Sequence, residues 1–320
     1  MTAFWIIVSV VAAFAAILLG GTYICFLMAF YSKKRVPSDE YRIPDGEIYE
    51  PYRDKMIGWM KEARKMPHTD YSITSFDGLT LWGKYYEYEK GAPIELMMHG
   101  YRGEGERDLC GGVQRAFSLG RSALVIDQRG CGKSDGNVIT FGINESIDCL
   151  SWVDFIIQNI DKEAKIILTG ISMGAATVIM AAGRGTPENV IGVLADCGYT
   201  SAKEIIKKVI TDLKLPADLL YPFVKAGAKI WGGFNLEETS PIESLEKTEL
   251  PICFFHGEDD AFVPCEMSVR NYNSYKGKKM ILTVKGAGHG LCYLIAPDEY
   301  LKTFGDFGNV MGIPTKSIKD

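Results

Sequence analysis

The sequence predicts an α/β fold, a mostly parallel sheet with helices on both faces, preceded by one helix long enough to cross a membrane. Three observations carry this. From residue 71 onward, short apolar runs alternate with longer amphipathic segments, the pattern of strands joined by helical crossovers. Residues 4–31 carry no charge, and this run exceeds the roughly 20 residues a spanning helix needs. A Gly-Ile-Ser-Met-Gly turn at 170–174 stands between an apolar strand pattern and a strong helix former.

Taken in chain order, residues 1–32 read as a transmembrane anchor. A cleaved signal would begin with a charged region and carry a shorter apolar stretch, whereas this run begins uncharged and ends in FLMAFYSKKR. Residues 33–70 form a charged connector containing an amphipathic helix near 52–66, with Met56, Trp59 and Met60 on one face. Residues 71–320 form the main domain. Strands are expected at 71–76, 79–87, 94–98, 123–126, 165–169, 190–195, 252–255 and 280–284, the first two joined at Asp77-Gly78. Helices are expected near 108–119, 145–159, 173–183, 266–275 and 297–307. Between 200 and 240 the alternation stops. Two helical stretches appear there, the first opened by Ser201 and Glu204 at capping-box spacing, and Pro216 and Pro222 interrupt the chain after it. An insertion after the sixth strand is where a lid would lie.

Composition narrows the function. The chain is 47% apolar and 23% charged with a net charge of -5, so it has the make-up of a globular protein and no basic excess to neutralise phosphates; nucleic acid is excluded as a partner. The eight cysteines are scattered singly, without C-x-x-C pairs or histidines at ligand spacing, so no metal is expected. Unpaired cysteines suit a reducing compartment.

The 170–174 turn follows the strand pattern KIILT and precedes AATVIMAA. In that context G-x-S-x-G marks a turn so sharp that strand and helix nearly touch, with Ser172 as nucleophile at its tip. A serine hydroxyl needs a base, and the base needs a group to fix its tautomer. Of the four histidines, His68 lies in the connector, and His99 and His256 each end a strand before glycine. His289, in GAGHG after the last strand, is the expected base. For the acid, Asp260 in HGEDDAFVP is the first choice, with Asp196, which ends the preceding strand, as the alternative. The two amides that would hold an oxyanion belong to Met173, after the nucleophile, and to Tyr101 in HGYRG, after the third strand. Gly130-Cys131-Gly132-Lys133-Ser134 ends like a phosphate-binding loop, but the first glycine of that motif would fall on Asp127, and the nucleotide reading fails.

The segments HGYRG, DQRGCGKSDG, GISMG, ADCGYTS, HGEDDAFVP and GAGHG occur in the order seen in α/β-hydrolase superfamily esterases. The chain resembles the bacterial membrane-anchored esterase and lipase type, related to the Bem46-like and depalmitoylase-like branches. That resemblance implies an eight-stranded sheet, a triad of Ser172, Asp260 and His289, and no cofactor.

The expected activity is hydrolysis of a small-molecule carboxylic ester or thioester, apolar on its acyl side. A serine peptidase or amidase would use the same residues, while a non-enzymatic binding protein would have no need of them. Lys33, Lys34, Arg35 and Arg42 follow the apolar run and no charge precedes it. Positive charge marks the cytoplasmic side, so a single crossing with the domain in the cytoplasm is expected.

Overall fold

The computed structural model describes residues 1–33 and 41–313, so Lys34 and Arg35 of the orientation argument lie outside the described residues. Eight strands, β1 (Thr69–Thr74), β2 (Thr80–Tyr86), β3 (Ile94–Met98), β4 (Ser122–Asp127), β5 (Ile166–Ile171), β6 (Val190–Asp196), β7 (Ile252–Gly257) and β8 (Lys279–Val284), form one sheet in the order β1-β2-β4-β3-β5-β6-β7-β8. β2 pairs antiparallel with β1 and β4; the other pairings are parallel. The central strands are buried on both faces, which is why they read as continuous apolar runs.

The helices are α1 (Thr2–Ala29), α2 (Arg53–Lys65), α3 (Gly105–Asp108), α4 (Gly112–Ser118), α5 (Ile143–Phe155), α6 (Met173–Gly183), α7 (Ala202–Asp212), α8 (Ala217–Ile230), α9 (Pro241–Ser244), α10 (Cys265–Ser274), α11 (Cys292–Ile295) and α12 (Pro297–Val310). Strand period two sorts side chains to the two faces. Ile166, Leu168 and Phe254 meet Trp152 and Val178 in one apolar layer. Ile167, Cys253 and Phe255 join Tyr300, Phe304 and Phe307 in the other, which also takes Tyr49, Met56 and Met60 from residues 41–65. The amphipathic connector helix is therefore part of this second core layer.

One charged side chain lies wholly inside the sheet. Glu95 on β3 is fully buried and paired with Arg115 and with Arg121, the latter at 3.1 Å.

Two sequence expectations change. The helix expected over 108–119 is two short helices, because Gly111 takes φ +81 under the Trp59 ring, where a Cβ would stand 2.5 Å from a ring carbon. Pro222 does not interrupt the second helical stretch of residues 200–240: α8 runs through it. It sits on the exposed side, where water can reach the Asp218 carbonyl that a proline leaves unbonded. Pro216 does mark a boundary, standing at the N-cap of α8.

α1 is long and apolar enough to cross a membrane, with mean hydropathy 2.6 over its most apolar window and none of that window buried. Its C-terminal end is held by the domain. Tyr31 bridges Val138, and the Phe30 ring packs against Phe141 and Phe234 at 5.7 and 5.2 Å.

Candidate active site

The turn from β5 into α6 has its shape because residues 170 and 174 lack side chains. A Cβ on Gly170 would stand 2.1 Å from the Gly174 carbonyl oxygen, and one on Gly174 would stand 2.1 Å from that of Met98. Ser172 is forced to φ 57 and ψ -119, a conformation that L-residues seldom adopt and that a locked turn must enforce. Its amide is tied to the Asp196 carbonyl at 2.8 Å.

From the last strand, the 285–291 loop brings His289 over this turn, its Nε2 lying 2.9 Å from Ser172 Oγ and its Nδ1 2.6 Å from Asp260 Oδ2. A carboxylate only accepts, so Nδ1 carries the proton and Nε2 accepts from the serine hydroxyl. Asp260 also accepts from the Phe262 and Val263 amides through Oδ1, at 2.9 and 2.8 Å. Burial would raise its pKa, but hydrogen bonds from His256 and His289 and the charge of His289 outweigh it, holding the carboxyl well below the usual range.

The alternative acid is engaged elsewhere. Asp196 Oδ2 accepts from the Tyr300 hydroxyl at 3.0 Å, and burial pushes its carboxyl up. Asp260 is therefore the carboxylate hydrogen-bonded to His289.

The loop after β3 lies against Ser172: a Cβ on Gly100 would be 3.5 Å from Ser172 Cβ. Met173 opens α6, so its N–H is among those that helix geometry leaves without an intrahelical acceptor. The Tyr101 side chain reaches α1, its hydroxyl donating to the Ala29 carbonyl at 2.8 Å. Arg102, at φ 52, reaches the same helix end and donates to the Met28 and Tyr31 carbonyls at 2.9 and 2.8 Å.

Ser172 and His289 open into a cavity of about 570 Å³ walled by Ile48, Tyr49, Tyr101, Ile171 and Phe262, with Arg107 and Asp108 among its polar members. Two features of the site escaped the sequence reading. Tyr49, from the connector, donates to the His289 carbonyl at 3.0 Å, and no motif announces it. His256, expected only to shape its loop, places Nε2 3.2 Å from Asp260 Oδ2 and 2.8 Å from the Val263 carbonyl, so it carries its proton there and braces that carboxylate. Its spacing of four residues before Asp260 was the available signal. His99 and His68 do not join the group: His99 bonds Gly100 and Gln128, and His68 bonds Met66.

Cys197, Asp260 and His289 hold donor atoms within 4.8 Å of one another, a spacing a metal ion can span. Asp260 and His289 instead engage each other, and burial pushes the Cys197 thiol well up, away from the thiolate a metal requires. The Gly130–Ser134 turn folds around a carboxylate: Lys133 N donates to Asp127 Oδ2 at 2.9 Å, the opposite of an anion cradle.

The sequence family described as alpha/beta hydrolase fold matches residues 96–240. The Pyrococcus furiosus esterase Pf2001 superposes with a TM-score of 0.64 at 21% identity, covering 86% of this chain and 99% of the esterase. The chain has the α/β-hydrolase fold. It is 27% identical over 201 residues to the uncharacterized protein YqkD of Bacillus subtilis, a match spanning 62% of the chain and 66% of YqkD. It also resembles the Pyrococcus horikoshii acylaminoacyl peptidase, with TM-score 0.58 and 17% identity over 84% of the chain and 44% of the peptidase.

Proposed function

We propose that this chain is a serine hydrolase that cleaves carboxylic ester or thioester bonds of a small acyl substrate, and that α1 anchors it in a membrane. The observation that carries the reading is the unbroken relay from Ser172 Oγ through His289 to Asp260, at 2.9 and 2.6 Å, on the wall of a cavity. Ser172 Oγ attacks the acyl carbonyl as its proton passes to His289 Nε2, and Asp260 stabilises the resulting imidazolium. The Tyr101 and Met173 amides hold the oxyanion. Collapse breaks the C–O or C–S bond, and His289 returns the proton to the departing alcohol or thiol. Water then attacks the acyl-enzyme, gives its proton to His289, and Ser172 recovers it as the acid leaves. No step requires a metal or cofactor. Ile48, Ile171 and Phe262 suit an apolar acyl group.

Amide or peptide cleavage would use the same residues, and the likeness to the acylaminoacyl peptidase favours testing it. Labelling by a fluorophosphonate, lost in Ser172→Ala, together with turnover of p-nitrophenyl esters of increasing acyl length beside peptide amides, tests the proposal. Absence of both labelling and turnover in the intact protein overturns it.

Residues 1–32 serve as the anchor, residues 33–70 as the connector, residues 71–320 as the hydrolase domain and residues 200–240 as its lid. The positive charges after the apolar run support a single crossing with the domain in the cytoplasm. Protease added to intact cells then leaves the domain uncut; its digestion, or recovery of a chain cleaved near Tyr31, overturns this.

A further inference from the structure

α1 is longer than a bilayer requires. Its 28 residues rise about 42 Å, against a hydrocarbon core of about 30 Å, leaving roughly 8 residues outside. Burial divides the helix at that place. Residues 1–20 are all exposed, whereas Gly21, Thr22, Cys25, Phe26, Ala29 and Phe30 turn toward protein at three- and four-residue spacing.

The protein they meet is α8. A Cβ on Gly227 would stand 2.6 Å from the Thr22 carbonyl oxygen, so the two helices touch backbone to backbone there. At the dividing level the Trp231 indole donates to Thr22 Oγ1 at 3.0 Å and packs edge-on against Tyr23 at 5.0 Å, while the Phe223 ring lies 3.3 Å from where a Gly21 Cβ would be. Tryptophan and tyrosine gather where membrane meets water. α8 is thus fixed beside the point at which α1 leaves the lipid.

α8 also has an apolar face that the rest of the protein covers only in part. Leu219, Phe223, Ala226 and Ile230 recur at i, i+4, i+7 and i+11, and Leu219 and Ile230 are 65% and 52% exposed. Leu213 and Leu215 extend the exposed apolar surface at the α7–α8 corner, and the exposed Lys214 and Lys229 flank it. A helix of this kind beside a membrane-spanning segment has the form of one that lies in the interface, with basic residues toward the headgroups.

We propose that this outer face of α8 rests on the phospholipid bilayer that holds α1, and that the candidate site takes acyl chains from that leaflet. The second half rests on the hydrolase reading above; the first does not. The same α1 end reaches the site, since Phe30 packs on Phe141, Phe141 on Tyr101 at 5.2 Å, and Tyr101 lines the cavity.

The test uses the full chain in vesicles of phosphatidylethanolamine and phosphatidylglycerol, with and without brominated acyl chains. Leu219→Trp and Asp218→Trp are compared, each as the emission gained over the unsubstituted protein. Asp218 is the neighbouring residue on the polar side, paired with Lys207 at 2.6 Å. Bromine should abolish most of the emission added at 219 and leave that added at 218. Equal quenching, or none at 219, overturns the surface; a stable dimer without quenching assigns the face to a second copy instead. Ile230→Trp repeats the reading if Leu219→Trp does not fold. In a second arm, Leu219→Glu with Ile230→Glu should lower hydrolysis of a long-chain ester embedded in the vesicle about tenfold, a change of one decade in rate, and leave a short soluble ester unchanged. Equal rates on the embedded ester overturn entry from the leaflet. If no ester is cleaved by any form, the hydrolase reading fails and the quenching still decides where α8 lies.

Discussion

Asp260→Asn separates the two acids by a mechanism that can be followed atom by atom. Oδ1 of residue 260 is committed to the Phe262 and Val263 amides at 2.9 and 2.8 Å, so an asparagine keeps its oxygen there and turns its amide nitrogen to His289. That nitrogen only donates. His289 Nδ1 must then accept, its proton moves to Nε2, and the ring offers Ser172 a donor where it needs an acceptor. A mis-set tautomer of this kind costs about 10⁴-fold in turnover, or about 5.4 kcal/mol of barrier at 1.36 kcal/mol per decade. Asp196→Asn alters a carboxyl hydrogen-bonded to Tyr300, not to His289, and its loss should stay below about tenfold. The assay is single-turnover release of p-nitrophenol from an ester, normalised to folded protein by circular dichroism. Asp260→Asn retaining more than a tenth of wild-type turnover, or Asp196→Asn proving the more damaging, refutes the reasoning.

The remaining predictions concern the frame around that site. Glu95→Gln leaves Arg115 and Arg121 buried without their counter-charge and should destabilise the fold by about 3–5 kcal/mol in urea unfolding. Gly58, inside α2, has nothing within 4 Å of a built Cβ, so Gly58→Ala should stabilise by about 0.5–1 kcal/mol. Gly174→Ala meets the Met98 and His99 carbonyls and should cost about 3 kcal/mol or more, with loss of probe labelling. Asp260 has a folded pKa below its unfolded value of about 3.9, so its contribution is fully present above that pH and is lost as pH falls through the folded value. The stability gap between wild type and Asp260→Asn should therefore be constant from pH 7 to about 5 and shrink below about 4, as read from urea unfolding across that range.

The sheet and the elbow were legible because each is dictated locally. A strand buried on both faces has to be apolar throughout, as IELMM nearly is, and the turn at Ser172 has to carry glycine on either side, because backbone lies within 2.1 Å of both Cβ positions. Glu95 is the exception within IELMM, and its meaning depends on Arg115 and Arg121, which the fold alone brings to it. The choice between Asp196 and Asp260 had the same limit. Asp196 ends β6 and Asp260 lies in the loop after its parallel neighbour β7, and only the path of the 285–291 loop decides which carboxylate His289 meets.

Residues 20–32 were illegible for a different reason. An apolar run has the same composition whatever surrounds it, so hydropathy cannot locate where α1 begins to pack against the domain. The contacts that mark the change use groups carrying no sequence signature: the backbone carbonyls of Met28, Ala29 and Tyr31 receive Arg102 and Tyr101, and Gly227 meets Thr22. A helix end presents unsatisfied carbonyls and a partial negative charge, and an arginine and a tyrosine hydroxyl satisfy both. Those two side chains belong to the loop that lies against Ser172. α1 and Ser172 are therefore separated by a single loop in space, although more than 140 residues of chain lie between Ala29 and Ser172. Removing residues 1–32 to obtain a soluble enzyme would take away the acceptors of Tyr101 and Arg102, so the chain beginning at Lys33 should turn over esters more slowly than the intact protein even on substrates that never meet a membrane.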